Sequence, residues 1–191
     1  YPILLMNKFQ KISKDIKNLK IEGARNIAKA ALEAYSLNPT KKSARILLNL
    51  RPTEPMLQNT LNMLIHGTPK KQILEHFDSA QEKINLLVFR IIKNNPTIFT
   101  HCHSTNVANA LIYAKKKGKK FQVYNTETRP LFQGKLTAKQ LAKAGIEVTT
   151  FIDSAAHLAI QKSDMIFLGA DAILKEGVIN KIGSGMFSEI A

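Results

Sequence analysis

Apolar residues in the first half of the chain recur every three to four positions, which is the period of an α-helix. Gly23 separates two such stretches, Pro52 interrupts another, and Pro96 follows the last. Because proline stops a helix and moves the preceding residue away from helical geometry, these prolines mark helix boundaries. The pattern predicts a helical N-terminal domain over residues 1–95, with helices over residues 8–36 in two stretches, 41–50, 55–66 and 70–93.

After Pro96 the pattern changes to short β-rich runs that alternate with helical stretches. Such alternation is typical of a parallel sheet with crossover helices, so residues 96–191 are predicted to form an α/β domain. The predicted strands cover residues 97–101, 121–125, 148–152 and 165–168. The predicted helices between them cover residues 107–117, 137–144 and 154–161.

A polar cluster follows each predicted strand. The clusters are His101-Cys102-His103-Ser104, Thr126-Glu127-Thr128-Arg129, Asp153-Ser154 and Gly169-Ala170-Asp171. In open α/β sheets, ligands bind outside the carboxyl ends of the strands. We therefore expect the four clusters to converge on one crevice.

Cys102 is the single cysteine of the chain, and its chemistry depends on its neighbours. Ser104 and Thr105 are suited to cap the next helix, and a helix N-terminus both binds phosphate and lowers the pKa of a nearby thiol. A thiolate at this position would act as a base or a nucleophile. The alternative is an inert, buried small side chain, which is the usual fate of a lone cysteine.

Asp171 follows an apolar run and is predicted to end the last strand. A carboxyl group in apolar surroundings has a raised pKa and can serve as a general acid, whereas the alternative role is to cap the next turn. His101 and His103 alternate across a strand end, and no second ligand cluster accompanies Cys102. The sequence therefore predicts no metal site.

The formal net charge of +14 raises the question of nucleic-acid binding. Arginine, which reads bases bidentately, occurs at five positions, and the rest of the positive charge is lysine spread over the helices. We interpret this as a solvated surface on a protein that binds anionic ligands, with nucleic acid as the disfavoured partner. No apolar run approaches the roughly 20 residues of a membrane span, and a single cysteine forms no intramolecular disulfide, so a cytoplasmic protein is expected.

Taken together and in order, several motifs resemble those of the archaeal ribose-1,5-bisphosphate isomerases. This family is grouped with methylthioribose-1-phosphate isomerases and with the regulatory subunits of translation initiation factor 2B. The matching strings are His101-Cys102-His103-Ser104, Glu127-Thr128-Arg129-Pro130-Leu131-Phe132-Gln133-Gly134, Asp153-Ser154-Ala155-Ala156, Gly169-Ala170-Asp171-Ala172-Ile173 and Asn180-Lys181-Ile182-Gly183, with Gly23-Ala24 and Arg51-Pro52-Thr53 in the helical part. The resemblance implies a helical N-terminal domain that is followed along the chain by a Rossmann-like sheet.

The resemblance also implies roles for individual residues. Cys102 would be the catalytic cysteine and Asp171 the catalytic aspartate. Gln133, Asn180 and Lys181 would contact the sugar. The residues expected near a phosphate or around the same pocket are Ser104, Thr105, Asn106, Arg129, Gly23, Ala24, Arg25 and Arg51.

The implied activity is the aldose-ketose isomerisation of ribose 1,5-bisphosphate to ribulose 1,5-bisphosphate in AMP salvage or breakdown. It needs no metal or organic cofactor, and the implied assembly is a homo-oligomer, either a dimer or a trimer of dimers. The alternative is a regulatory subunit like those of initiation factor 2B, which binds a phosphorylated ligand or partner subunits. The presence of both Cys102 and Asp171 favours the enzyme.

Three departures from the family pattern accompany the resemblance, the mildest of which is Gly183-Ser184 where the family prefers Gly-Thr. Glu22 stands before Gly23 where the family has an arginine, and Arg25 would compensate from the next turn. The family continues with further strands beyond the position of Ala191, so the sheet is expected to be incomplete in this chain.

Overall fold

The computed structural model describes residues 7–21 and 23–191. Glu22, which stands where the family has an arginine, lies outside these ranges. The chain divides into two compact units, with the boundary between Asp78 and Ser79. The N-terminal unit is helical. Its helices are α1 (Lys8–Lys17), α2 (Ala24–Leu37), α3 (Lys41–Leu50), α4 (Pro55–Ile65) and the first part of α5 (Lys70–Ile91).

Local sequence signals account for the starts of these helices. Asn7 caps α1 through a reciprocal capping box with Gln10, and Thr40 caps α3 by accepting the backbone N–H of Ser43. Pro55 occupies the first turn of α4, where its missing N–H has no intrahelical partner to lose. Gly23 precedes α2 with φ of 83°, a conformation that favours glycine.

The helical unit buries its apolar stripes in two adjoining clusters. One cluster joins α1, α2, α3 and α4 through Ile16, Ile27, Leu47, Leu57 and Leu61, all of them fully buried. The other joins α2 to the first part of α5 through Ala28, Leu32, Ile73 and Phe77. These are the positions at which the helical periodicity repeats, so the same residues that predict the helices also form their core.

The sequence pattern changes at Pro96, whereas the structural division falls within α5. The reason is that the two parts of this helix have different neighbours. Ile73 and Phe77 pack in the helical unit, while Val88 and Phe89 pack against the core of the sheet. The boundary of the domains at residue 96 remains a prediction from sequence.

The C-terminal unit is built on a parallel sheet with the strand order β3-β2-β1-β4. The strands are β1 (Thr97–Thr100), β2 (Gln122–Thr126), β3 (Glu147–Phe151) and β4 (Met165–Ile166). The helices that follow them are α6 (Thr105–Lys116), α7 (Gln133–Lys143), α8 (Ala156–Gln161) and, near the end, α9 (Ser184–Ile190). The predicted fold class, a helical part followed by a Rossmann-like parallel sheet with crossover helices, is confirmed.

Helices cover both faces of this sheet. Ile98 and Val123 point to one face, where they pack with Leu111 of α6 and Leu141 of α7. The next residue of β1, Phe99, points to the other face and packs with Ala159, Ile160 and Phe187. Because successive side chains of a strand alternate between faces, the burial of all four residues of β1 shows that this strand is covered on both sides.

An antiparallel hairpin formed by β5 (Ala172–Leu174) and β6 (Gly177–Ile179) was not predicted. Its strands have three residues each, and its apolar side chains are exposed, with Ile173 at 80% and Val178 at 63%. A short element outside the core leaves no periodic signal. The hairpin also corrects the placement of Asp171, which precedes β5 and donates its backbone N–H to the Ile179 carbonyl, whereas we expected it to end β4.

Among the described residues, no helix combines the length and the apolar character that a membrane crossing requires.

Candidate active site

The strand order places a topological switch point between β1 and β4. The connection that leaves β1 packs on one face of the sheet, and the connection that enters β4 packs on the other. Ligands of open α/β sheets bind at this point, outside the carboxyl ends of the two strands. Here β1 leads into His101 and Cys102, and β4 leads towards Gly169 and Asp171.

Cys102 lies directly after β1 in a left-handed backbone conformation, with φ of 65°. Its N–H donates to Oγ1 of Thr128 at 2.9 Å, and its carbonyl accepts from Oγ1 of Thr137 at 2.8 Å. A left-handed conformation costs a residue other than glycine about 1 kcal/mol or more, and such positions concentrate at functional sites. Two threonine hydroxyls therefore hold Cys102 in an unfavourable conformation.

Asp153 organises the turn that presents Thr128. One carboxylate oxygen accepts the backbone N–H of Thr128 at 2.8 Å, and the other accepts that of Arg129 at 2.7 Å. Glu127 donates its own N–H to the Phe151 carbonyl at 2.8 Å. Asp153, which follows β3, thus fixes the turn after β2. Thr128 of that turn binds Cys102, which follows β1.

The expected convergence of the polar clusters is confirmed. The first three are joined by two hydrogen bonds, in which the Thr128 N–H donates to Asp153 and the Cys102 N–H donates to Thr128. The fourth reaches them at Gly169, where an added Cβ would lie 2.9 Å from the Cβ of Ser104. Glycine is required at this contact because a larger residue would push the two segments apart.

His101 is a buried structural histidine, 3% exposed. Its Nε2 lies 3.0 Å from the Ile182 carbonyl, which can only accept, so Nε2 carries the proton and Nδ1 accepts from Oγ1 of Thr126 at 2.5 Å. The ring also packs edge-on against Phe187, with centroids 4.8 Å apart. Burial lowers the pKa of His101, so the neutral form is favoured.

The ionisation of Cys102 differs from our expectation. We predicted that the start of α6 lowers the thiol pKa, but burial raises the pKa of Cys102 above its ordinary value. The backbone hydrogen bond with His103 and the charge of Lys181 lower the pKa, while the carboxylates of Asp171 and Asp153 raise it further. Removal of the thiolate from water outweighs the favourable contacts, so the thiol form predominates at rest.

Asp171 has a raised pKa, as we predicted for a general acid. The residue is exposed, yet desolvation of its carboxyl group by the neighbouring protein is the main cause, and the nearby Lys181 opposes it. Lys181 therefore acts electrostatically on Cys102, Asp171 and His101 together. This places one cation among the ionisable groups of the switch point.

Asn180 and Ser104 lie beside Gly169 at the switch point. A Cβ on Gly169 would lie 3.6 Å from Oδ1 of Asn180, whose Nδ2 donates to Oγ of Ser184 at 2.8 Å. Ser104 caps α6, because its Oγ accepts the N–H of Val107. The first-turn amides of α6 at Thr105 and Asn106 have no intrahelical carbonyl to bond, which is the usual arrangement at a helix end that binds phosphate.

Gln133 and Gly134 start α7, directly after the turn that Asp153 organises. Among the residues the structure describes, the buried Oε1 of Gln133 has no hydrogen-bond partner, so it is an acceptor suited to a ligand hydroxyl. A Cβ on Gly134 would lie 1.7 Å from the Thr126 carbonyl oxygen, so this position accepts only glycine. Arg129 is exposed, and its guanidinium lies over the Phe132 ring, 4.6 Å from the centroid.

Four predicted site residues belong to the N-terminal unit, and their contribution to the site remains a prediction. Gly23 and Ala24 form the start of α2. Arg25 pairs with Asp78, and its Nε is buried without a partner within the described part of the chain. Arg51 ends α3 and pairs with Glu54 at 3.2 Å.

Neither a metal cluster nor a cavity points to a different site. Across residues 7–21 and 23–191, no group of three or more His, Cys, Asp or Glu side chains could hold a metal ion. A cavity of about 420 Å³ lies in the helical unit and is lined by Tyr35, Lys41, Ala44, Arg45, Leu48, Asn49 and Ile65. Its lining has no cysteine and no carboxylate, so it lacks the pair of groups found at the switch point.

Sequence reasoning did not assign the residues that position Cys102. Thr128 and Asp153 lie within motifs that we singled out, yet their roles depend on hydrogen bonds between separate strands. Thr137 lies inside α7 and has no local signal of function. Two clues were available for Asp153: it is acidic, and it directly follows an apolar strand.

Comparison with known proteins agrees with this fold. The model of the Initiation factor 2 subunit family matches residues 16–191, and the chain belongs to that family. It is 36% identical to the ribose 1,5-bisphosphate isomerase of Methanocaldococcus jannaschii, over 92% of this chain and 66% of that protein. Other archaeal proteins of the same name are 30–33% identical. The chain thus spans about two thirds of the length of these relatives.

Other relatives carry initiation-factor names. A putative translation initiation factor eIF-2B subunit 2-like protein of Pyrococcus furiosus is 31% identical, over 95% of this chain and 72% of that protein. The translation initiation factor eIF-2B of Pyrococcus horikoshii has a similar structure, with a TM-score of 0.84 and 23% identity over 97% of this chain and 74% of that one. The tetrameric eIF2B-beta2-delta2 complex of C. thermophilum gives a TM-score of 0.79 and 21% identity, over 97% of this chain and 72% of that one. The structural likeness concerns the fold.

Proposed function

We propose that this chain belongs to a sugar-phosphate isomerase that converts ribose 1,5-bisphosphate to ribulose 1,5-bisphosphate, with Cys102 as the base and Asp171 as the acid. The observation that carries the proposal is the placement of Cys102 after β1 and Asp171 after β4, at the switch point of the sheet, where Lys181 acts electrostatically on both. The isomerase name of relatives that are 30–36% identical supports the same activity.

The substrate explains why an acid and a base are needed together. A sugar whose anomeric oxygen is phosphorylated cannot open its ring as a free hemiacetal does. The C1–O4 bond must break while O4 gains a proton and C2 loses one. A general acid and a general base are therefore needed in the same step.

In the first step, the Cys102 thiolate takes the proton from C2, the electron pair of that bond forms the C1–C2 double bond, and the C1–O4 bond breaks. Asp171 gives its proton to O4. In the second step, the thiol of Cys102 returns a proton to C1, and the C2 hydroxyl loses its proton to the Asp171 carboxylate. The enol becomes the ketose, and both groups return to their starting forms.

The reactive form is a thiolate beside a carboxylic acid, and it is a minor form because the thiol of Cys102 predominates at rest. The raised pKa of Asp171 favours its protonated form, and the carboxylate of Asp171 is one of the groups that raise the thiol pKa. Protonation of Asp171 therefore lowers the pKa of Cys102, so the two ionisations are coupled in the direction the reaction requires.

The proposed substrate contacts follow from the polar groups around this pair. Lys181 and the first-turn amides of α6 would bind a phosphate, because both favour negative charge. The unpartnered Oε1 of Gln133 would accept a sugar hydroxyl, and Asn180 would bind another. Arg129 remains a proposed contact through its exposed guanidinium.

Proton NMR tests the activity. Ribose 1,5-bisphosphate is incubated with the protein in deuterated water, and we expect ketose to form with deuterium at C1. Cys102→Ser should abolish turnover while ribose 1,5-bisphosphate still binds. Undiminished turnover by this variant would exclude the assigned base. The assay is repeated on a longer chain, because the relatives extend beyond the matched region.

A regulatory subunit that binds a sugar phosphate without converting it is the second candidate. It is favoured by the raised pKa of Cys102, since a binding site needs no thiolate, and by the relative with an eIF-2B-like name. Binding without ketose formation, in this chain and in the longer one, would select this candidate. For both candidates we propose a homo-oligomer built from dimers, which light scattering would measure.

A further inference from the structure

Lysines gather at the edge of the sheet opposite the switch point. In a parallel sheet all strands begin at one edge, and the helices that precede them end there. Five lysines beside the starts of β1, β2 and β3, which we name the lysine edge, are Lys93, Lys115, Lys116, Lys120 and Lys143. Arg90, Lys117 and Lys119 lie in the same segments and add to the positive charge.

Contacts between these segments bring the lysines together. Nζ of Lys119 donates to the Ile92 carbonyl at 2.7 Å, which ties the loop before β2 to the segment that carries Lys93. The Cε of Lys115 lies 3.9 Å from where a Cβ on Gly145 would be, so the end of α6 meets the loop after α7. The lysine edge is therefore one surface formed by three loops.

Few negative charges face this surface. Glu147 starts β3, and Asp164 lies before β4, where its carboxylate accepts the Thr97 N–H at 2.8 Å. The ion pairs found among the described residues all lie in the helical unit before residue 79. The lysine edge thus has no carboxylate partner in the part of the chain that the structure describes.

Stabilisation of helix ends explains only some of these lysines. Lysine near a helix C-terminus interacts favourably with the helix dipole, and this accounts for Lys115, Lys116 and Lys143. The effect falls off within the last turn, whereas Lys93 and Lys120 lie beyond the ends of α5 and α6. The helix dipole therefore does not account for the cations at these two positions.

We infer that the lysine edge binds the phosphate backbone of a nucleic acid, without reading its sequence. Lysine is depleted at the cores of protein interfaces but supplies the phosphate contacts of nucleic-acid binders. The nearby rings of Tyr113 and Phe89 are covered by Lys117 and Lys119, so bases have no open platform for stacking. The sequence led us to disfavour nucleic acid because the lysines are spread along the helices, but the topology gathers these five.

Fluorescence anisotropy with labelled duplex RNA and duplex DNA of unrelated sequences, over a series of salt concentrations, tests the inference. We expect binding that weakens steeply with salt and differs little between sequences. The triple variant Lys93→Gln, Lys116→Gln and Lys120→Gln should lose about tenfold or more in affinity at low salt, and its salt slope should fall by about one per lysine. A preference for RNA or for DNA would identify the natural source of the phosphates.

A charge-matched control distinguishes the effect of the lysine edge from the effect of overall charge on binding. Lys11→Gln, Lys29→Gln and Lys42→Gln remove the same charge from exposed positions of the helical unit. We expect this control to bind almost as well as the unmodified chain. Equal loss in both triple variants, an unaffected lysine-edge variant, or no binding by the unmodified chain at about 50 mM salt would overturn the inference. Circular dichroism checks that both variants are folded. The isomerase assay tests the proposed activity separately, so failure of one proposal would not affect the other.

Discussion

The backbone N–H of Cys102 donates to Oγ1 of Thr128 at 2.9 Å, and this bond joins residues from the ends of two neighbouring strands. Both residues have positive φ, 65° for Cys102 and 62° for Thr128. Such a conformation is uncommon for any residue other than glycine and is rarest for a β-branched one. The position of the proposed base therefore depends on a tertiary contact.

Thr128→Val removes the acceptor of the Cys102 N–H and keeps the shape of the side chain. We expect the free energy of unfolding to fall by about 1 kcal/mol, because a buried donor loses its partner. We also expect kcat to fall about tenfold or more, since a small displacement of a reacting group is costly. Thr128→Ser keeps the hydroxyl and should retain most of both quantities. Equal losses in the two variants, measured by urea unfolding and steady-state kinetics, would contradict a role for the hydroxyl.

Asp153→Asn should lower the pKa of the Cys102 thiol, because it removes one of the carboxylates that raise it. The rate of iodoacetamide alkylation against pH measures this shift. Asp164→Asn is a matched control, since Asp164 also accepts a backbone N–H but is not among the charges that act on Cys102. A midpoint that moves equally in both variants would refute a specific interaction between Asp153 and the thiol.

Asp171→Asn should abolish turnover while making the fold more stable at neutral pH. The folded-state pKa of Asp171 is raised, so the folded protein binds this proton more tightly than the unfolded chain does. Stability is therefore lost as pH rises from the ordinary value of 3.8 through the folded pKa, and asparagine has no charge to desolvate. Thermal unfolding from pH 3 to pH 8 checks the sign. An Asp171→Asn variant that is less stable than the parent at neutral pH would contradict the raised folded-state pKa of Asp171.

His101 should make the protein sensitive to mild acid. Its folded-state pKa is lowered, so the unfolded chain binds the proton more tightly. Its contribution to stability is present above the ordinary value of 6.5 and is lost as pH falls from there through the folded pKa. His101→Gln should flatten the dependence of the unfolding free energy on pH in this range. The same substitution at the exposed His157 serves as the control.

Gly134→Ala should destabilise the C-terminal unit by about 3 kcal/mol, because the new Cβ would overlap the Thr126 carbonyl and the overpacked backbone must shift. Gly185→Ala is the matched control in α9, where nothing lies within 4 Å of the added carbon. The control should gain about 0.5–1 kcal/mol, since alanine is the better helix former. Urea unfolding measures both changes, and a neutral Gly134→Ala would contradict the close approach.

The helices were predictable because their apolar residues repeat with a fixed period, and the four parallel strands because short β-rich runs alternate with helical stretches after Pro96. The core of β1 and the apolar side of α6 follow from local spacing, so their boundaries differ from the prediction by only a few residues. The hairpin of β5 and β6 was missed because its short, exposed strands bury too little to leave a pattern. The position of Asp171 was misjudged for the same reason.

The sequence by itself determined the order of elements, the residues that follow each strand and the pairing of a cysteine with an aspartate as candidate groups. Only the tertiary structure decided that Thr128, Thr137 and Asp153 hold Cys102, and that burial raises its pKa. Local periodicity reports which residues are buried, but it carries no information about which distant groups meet. Hydrogen bonding and desolvation depend on those meetings, and therefore on the packed fold.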